Sequence, residues 1–421
     1  MKLLQVFLLT IGAGVTAQLP KNGGLMDDRP TYPSPEEAQY ALVEPKLRTR
    51  WTDPVSSNPS NVWSEYPRPQ LRRDTWANLN GIWEFELADS RDAISSLPTN
   101  RTLDQRILVP FCIESGLSGI ALQSNFSWYR RSFSVPSNFP ADENVVLHFA
   151  AVDYHTTVFV NGQEVGTHEG GYDKFFFDIT SFLTENREEN ELIVFVYDPT
   201  DGEGENIVIG KQRILPSHIF YTPCSGIWQT VSLESVPSSE YITSLKLRAF
   251  ADDNSQILFT ANGTSNTPWV FTAQIPELQH WSPDSPNLYN ITITLGEDVI
   301  STYTGFRTIE KKEVNGVQRF VLNGSPVFQF GPLDQGYWPD GLHSPPSYDA
   351  MVWDLEYIKG LGMNFLRKHI KVEPDLFYYA ADKLGIMLMQ DMPALNIAEI
   401  NEAQQAGFER QLDIMVNTHL S

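Results

Sequence analysis

The chain has 421 residues and a formal net charge of -22 at pH 7. That length makes room for two or three domains, and a hydrophobic content of 41% supports ordinary folded cores. So acidic a protein is repelled by duplex nucleic acid and by an anionic membrane surface, which argues against both as partners.

Residues 1–17 read as a signal peptide: Lys2 gives a positive start, residues 3–11 an apolar stretch too short to span a bilayer, and Val15-Thr16-Ala17 a small-residue cleavage site. The expected mature chain starts at Gln18. No later run is long enough for a transmembrane helix, so a soluble, secreted protein is expected. Asn100, Asn125, Asn262 and Asn290 each open an N-x-S/T sequon and are candidate glycan sites; Asn323 does too, with Pro326 close behind to weaken it. The two cysteines, Cys112 and Cys224, either pair in an oxidising compartment or are two buried thiols. Nothing in the sequence calls for a metal or another cofactor, and the oligomeric state is not legible.

Residues 18–61 are rich in Pro, Asn and Ser without a clear period and are expected as an extended arm. From 62 to 236 the texture is all-β. Asn80-Gly81 precedes an aromatic strand, runs 145–149 and 157–160 are strands, Asn161-Gly162 is a hairpin signal returning through 163–166, and 192–197 is a further strand. A β-sandwich of jelly-roll type is expected, with Trp128 and Trp228 in its core. A smaller β region at 237–308, with strands near 245–249, 257–260, 269–275 and 288–295, has the size of an immunoglobulin-like sandwich. Both β regions are expected to fold without residues 309–421.

The remainder, 309–421, changes period. Apolar runs at 327–331, 364–367 and 386–391 are bounded by Gly, Pro or charge and are expected as strands buried on both faces. Between them, 347–361 carries Met351, Val352, Leu355 and Ile358 on one stripe, with Asp354, Glu356 and Lys359 opposite. Pro374 opens a second helix that Gly385 ends, and 403–418 is a third. This alternation predicts a parallel sheet, as the opening of an α/β barrel or of a doubly wound sheet. In either, polar residues at strand C-termini face the site. Here they are Asp334 and Gln335, then Arg367 and His369, then Asp391.

In motif wording and order the sequence from about Trp63 onward resembles glycoside hydrolase family 2, the β-galactosidases, β-glucuronidases and β-mannosidases. The resemblance rests on Pro110-Phe111-Cys112-Ile113-Glu114-Ser115, Trp128-Tyr129-Arg130-Arg131, Val158-Phe159-Val160-Asn161-Gly162, Gly170-Gly171-Tyr172 and Ser225-Gly226-Ile227-Trp228-Gln229. The segment from Trp281 to Tyr289 (Trp-Ser-Pro-Asp-Ser-Pro-Asn-Leu-Tyr) and Gly305-Phe306-Arg307 resemble the family's immunoglobulin-like domain and its exit. It implies a sugar-binding-like jelly roll, an immunoglobulin-like sandwich and the first three βα units of a TIM (β/α)8 barrel whose strand ends hold a β-glycoside. On that reading Asp334, Arg367, His369 and Asp391 contact substrate and Trp338 stacks on a sugar face, whereas on the structural reading Arg367 and Asp391 form an ion pair and Trp338 anchors packing. The stretch Gly331-Pro332-Leu333-Asp334-Gln335-Gly336-Tyr337-Trp338 departs from the family's commoner Gly-x-Asn-x-His, and Arg367-Lys368-His369 places the histidine one residue early.

The family's retaining mechanism needs two glutamates, on the fourth and seventh barrel strands, and neither strand is recognisable; Asn401-Glu402 follows no apolar strand. No catalytic residue is assigned. A C-terminally truncated, inactive β-glycosidase is therefore expected, the alternative being a non-catalytic secreted carbohydrate-binding or interaction protein.

Overall fold

The computed structural model describes residues 40–99, 101–202, 207–250, 256–264, 268–274, 278–395 and 400–419. The expected signal peptide and Asn100 lie outside the described residues. Two antiparallel sheets form the first unit. One has six strands, ordered Gln105–Val109, Gly81–Leu87, Phe126–Phe133, Asn190–Tyr197, His155–Val160 and Gln163–Glu169. The other has four, ordered Trp76–Asn78, Val231–Val236, Asn144–Phe149 and Phe175–Asp178. The strand Asn190–Tyr197 shows why its sequence is apolar without alternation. Leu192, Val194 and Val196 join Phe85, Tyr129 and Val158 in the inner core, while Ile193, Phe195 and Tyr197 are covered outside by Leu97 and Leu103. Asn161 and Gly162, at φ 50° and 79°, make the tight hairpin turn their sequence predicts. Trp128 and Trp228 are buried, and Cys112 and Cys224 form a disulfide whose Cα atoms are 4.8 Å apart.

The second unit packs Ile242–Phe250, Gln256–Gly263 and Trp269–Gln274 against the hairpin Tyr289–Leu295 and Asp298–Thr304, around Ile257, Phe259, Ile291, Ile300 and Phe306. The chain is thus mostly β and multidomain. Between Arg307 and the parallel strands stands an element that the sequence reading lacked, the hairpin Ile309–Val314 and Val317–Leu322, turning at Asn315-Gly316 with both residues at positive φ.

The last unit contains a three-stranded parallel sheet, Leu333–Asp334, Phe365–Lys368 and Met387–Gln390, in sequence order. Its helices are Tyr348–Gly360, Asp375–Leu384 and Glu402–His419. Ser347 caps the first, its side-chain oxygen accepting from Ala350 N at 3.1 Å. Gly385 ends the second at φ 72° and ψ 49°, where a Cβ would come 2.4 Å from Pro283 O, so this left-handed turn also lets the helix sit on the second unit.

Three expectations need correction. The first parallel strand is Leu333–Asp334, not 327–331, and Phe328 and Phe330 are 83% and 50% exposed, so that run is not buried on both faces. Pro332, with no N–H to give, ends the irregular approach to the strand. Residues 40–61 are not wholly extended: Thr52–Ser57 is a helix, anchored because Thr49 and Thr52 hydroxyls donate to Asp340 Oδ2 at 2.7 and 2.6 Å. Finally, the first β unit, expected to fold without residues 309–421, shares a core with the last unit. Ile82, Leu108, Phe111 and Leu117 pack with Met351, Leu355, Leu366 and Phe377 in one cluster, and Trp228 with Val372 and Met415 in another.

Candidate functional site

A strand of period two sorts its residues onto two faces, and the parallel register decides which groups meet. Leu333 lies opposite Arg367, and Arg367 opposite Met389; Asp334 lies opposite Lys368, and Lys368 opposite Gln390. Leu333, Arg367 and Met389 are exposed on one face, whereas Leu366 and Lys368 are buried on the helix side.

On the open face the structure brings together Arg367, His369 and Asp391. Arg367 Nη2 donates to Asp391 Oδ2 at 2.8 Å and Nε lies 3.1 Å from the same oxygen; His369 Nδ1 is 2.6 Å from it. Burial alone would raise the Asp391 carboxyl, but the hydrogen bonds from Arg367 and His369 outweigh it and hold the group below the usual carboxylate range. The three groups therefore offer fixed donors and an ionised acceptor to a polar ligand lying on the strand ends.

Asp334 and Trp338 do not join that trio. Asp334 turns to the other face and is ion-paired with the buried Lys368, which also donates to Glu373 Oε1 at 2.7 Å. Burial works against ionising Asp334, yet Lys368 beside it prevails and keeps it below its ordinary range. Trp338 packs edge-on against Trp51 of the N-terminal segment, with ring centres 6.0 Å apart.

Sequence reasoning missed Lys368, Lys371 and Glu373. Lys371 Nζ donates to Gly336 O and His343 O, both at 2.7 Å, and lies 2.9 Å from Glu373 Oε2, pinning both ends of the loop that carries Trp338. Burial, with Lys368 nearby, pushes its amine down to about 8 despite Glu373. The available signal was alternation: a lysine between Arg367 and His369 must face the opposite side of its strand, where only carboxylates can hold it. Also missed was a contribution from the jelly roll, Lys211, whose Nζ donates to Gln335 Oε1 at 2.8 Å. A cavity of about 430 Å³ lies elsewhere, between His148 and Phe175 of the jelly roll, Leu245 of the second unit and Asp413 of the last helix. None of Arg367, His369 or Asp391 lines it, so it is separate from the strand-end site.

Of the sequons, Asn290 is exposed, while Asn125 and Asn262 are half-buried. The Asn323 amide is committed internally, donating to Trp281 O at 2.9 Å and accepting from Thr308 N at 3.0 Å. No described helix is long and apolar enough to cross a membrane.

The family model described as "Glycosyl hydrolases family 2, sugar binding domain" matches residues 76–237, and the one described as "Glycosyl hydrolases family 2" matches 233–307. Together they cover more than half of the chain. A putative beta-glucuronidase of Formosa agariphila is 27% identical over 403 residues, covering 84% of this chain and 46% of the relative. A beta-galactosidase of Thermoanaerobacter pseudethanolicus is 24% identical over 359 residues, covering 75% and 44%. The chain thus spans a little under half the length of these relatives. Among solved structures, the fold is similar to an uncultured Clostridium beta-glucuronidase, with TM-score 0.68 and 23% identity, and to the Ruminococcus gnavus beta-glucuronidase in complex with D-glucuronic acid, with TM-score 0.70 and 17% identity. Each comparison covers 83% of this chain and 66% of the other.

Proposed function

The chain belongs to glycosyl hydrolase family 2, and we propose that the ends of its parallel strands bind the sugar ring of a β-glycoside as part of O-glycosyl bond hydrolysis. The observation that carries this is the Asp391 carboxylate held between Arg367 and His369 on the open face. Charge-assisted donors and an ionised acceptor, fixed by one another, are suited to a ring of hydroxyl groups. The parallel order of the strands and the polar residues at their C-terminal ends support reading this unit as the first three βα units of a (β/α)8 barrel.

Binding, not bond cleavage, is the proposed role of these residues. A retaining mechanism protonates the leaving oxygen with one carboxyl group and attacks with another. Asp334 and Asp391 are both held ionised by cationic partners, so neither can act as the acid near neutral pH. The two catalytic carboxyl groups are proposed to come from a part of the enzyme other than these strand ends. The leader-like residues 1–17 and the Cys112–Cys224 disulfide support an extracellular setting.

Titration of the purified chain with methyl β-D-glucuronide and methyl β-D-galactoside, followed by NMR, is expected to show saturable binding that Arg367→Ala removes. The matching nitrophenyl glycosides are expected to show no turnover above buffer. Sugar binding that survives Arg367→Ala assigns it to the β units and favours the non-catalytic binding protein; turnover by the 421-residue chain refutes the division of labour.

A further inference from the structure

The geometry points to Lys211, a residue of the jelly roll, as the group that selects a carboxylate-bearing sugar at the strand-end site, an inference that rests on the sugar-binding reading above. Lys211 stands on a jelly-roll loop that touches the segments following all three parallel strands. Ile209 N and Gly210 N both donate to Ala394 O, beyond the third strand, at 3.1 and 2.9 Å. Gly210, at φ 62°, comes so near the stretch after the second strand that a Cβ there would lie 2.5 Å from Ile370 O. Lys211 Nζ meets Gln335, just beyond the first strand, at 2.8 Å. Backbone bonds and a close approach, not a flexible tether, thus set where this ammonium group stands.

Its row is the ligand's row. The pairing of Leu333 with Arg367 and Asp334 with Lys368 continues through His369 N, which donates to Asp334 O at 2.8 Å. Gln335 therefore follows directly on the residue that accepts from His369, at the strand ends that also carry Arg367 and Asp391. Along this row the cations outnumber the carboxylates. Asp334 faces away into Lys368, Asp391 is shared by Arg367 and His369, and Lys211 has no carboxylate partner among the described residues. This local excess of positive charge occurs on a protein of net charge -22.

A half-buried ammonium group whose one partner among the described residues is an amide oxygen has two further donors to offer, and its best complement is an anion. Because Lys211 occupies Gln335 Oε1, the Gln335 amide nitrogen is left to donate alongside it. Two donors side by side match the two oxygens of a carboxylate, which a uronic acid carries at C6 and a neutral hexose lacks. Selection of this kind arises because a neutral sugar would leave the ammonium group desolvated without compensation.

The test compares methyl β-D-glucuronide with methyl β-D-galactoside at low ionic strength, by NMR titration of the parent chain, Lys211→Met, Lys211→Arg and Arg367→Ala. The parent is expected to prefer the glucuronide. Lys211→Met should weaken the glucuronide about tenfold or more while leaving the galactoside within twofold, and Lys211→Arg should keep most of the preference. Equal binding of both glycosides by the parent, no binding of either, or equal loss of both in Lys211→Met overturns the inference. If Arg367→Ala weakens both sugars and Lys211→Met weakens neither, the sugar-binding reading stands and the selector role falls. If neither variant changes any binding, both fall. Thermal unfolding of each variant within a few degrees of the parent separates these outcomes from misfolding.

Discussion

Arg73 and Asp298 are joined by two hydrogen bonds of 2.7 Å, Nε to Oδ1 and Nη2 to Oδ2, and both side chains are buried. The same guanidinium reaches Glu234 Oε2 at 3.0 Å, and Glu234 also engages Arg68, Tyr66 and His148. One cation therefore ties the segment ahead of the jelly roll to a jelly-roll strand and to the second β unit. Lost solvation on this scale is tolerable only while every charge keeps its partner.

Arg73→Met should accordingly destabilise the protein by about 3–5 kcal/mol, since it leaves Asp298 buried without its cation. Urea unfolding should show a lower midpoint, with the two β units separating into distinct transitions. A midpoint equal to the parent's would contradict this.

Glu114 should contribute more to stability at pH 5 than at pH 8. Burial pushes Glu114 up to about 7, and raises Asp198; it raises Asp153 further with Asp198 as an added repulsion. A folded-state pKa above the unfolded one means the folded protein keeps a proton that the unfolded chain releases. The associated stability is complete below the unfolded value and is lost as pH climbs to the folded value. For Glu114 that window runs from 4.5 to about 7. Glu234 acts oppositely: burial disfavours its charge, but Arg68 and its other partners hold it well below 4.5, so its contribution disappears only in stronger acid. Burial lowers His148, His343 and His419, which act in the opposite sense over this range, so the test is the difference between parent and Glu114→Gln. The parent's thermal midpoint should fall relative to the variant's between pH 5 and 8, and a difference that does not change with pH would be evidence against the burial argument.

Hydrogen exchange should be faster in Met387–Gln390 than in Asn190–Tyr197. The former is an edge strand with Met389 exposed, and the latter is hydrogen-bonded on both sides and apolar on both faces. Equal protection would mean the edge is covered in solution.

The β units and the helices were legible because their signals are local. Asn161-Gly162 and Asn315-Gly316 are equivalent local hairpin signals, both turning at positive φ. The trio of Arg367, His369 and Asp391 was legible from strand ends alone. The features that were not legible depended on contacts between distant residues. No pattern along the sequence places Lys211 beside Gln335, 124 positions away, or shows that Asp334 turns toward Lys368. For Trp338 the sequence leaves sugar stacking and a packing anchor open, and its edge-on contact with the distant Trp51 has no signal along the chain.

A shortened chain ending at Arg307 is expected to aggregate or to melt well below the parent. Its hairpins are complete, yet it would uncover Ile82, Leu108, Phe111 and Leu117, whose partners include Met351, Leu355 and Leu366. A soluble product melting with the parent would show that this cluster contributes little.

That common cluster also bears on how such proteins diversify. A boundary visible as a change of sequence texture is not a boundary of inheritance when the side chains on either side are fitted to each other. Exchanging the jelly roll between two relatives would separate Phe111 from the helix residues it evolved beside and, with Lys211 as the selector, would replace the lysine that chooses the sugar. Recombination at this junction would then alter solubility and ligand preference together, so new specificities should arise more readily by single substitutions in the jelly-roll loop than by trading whole units.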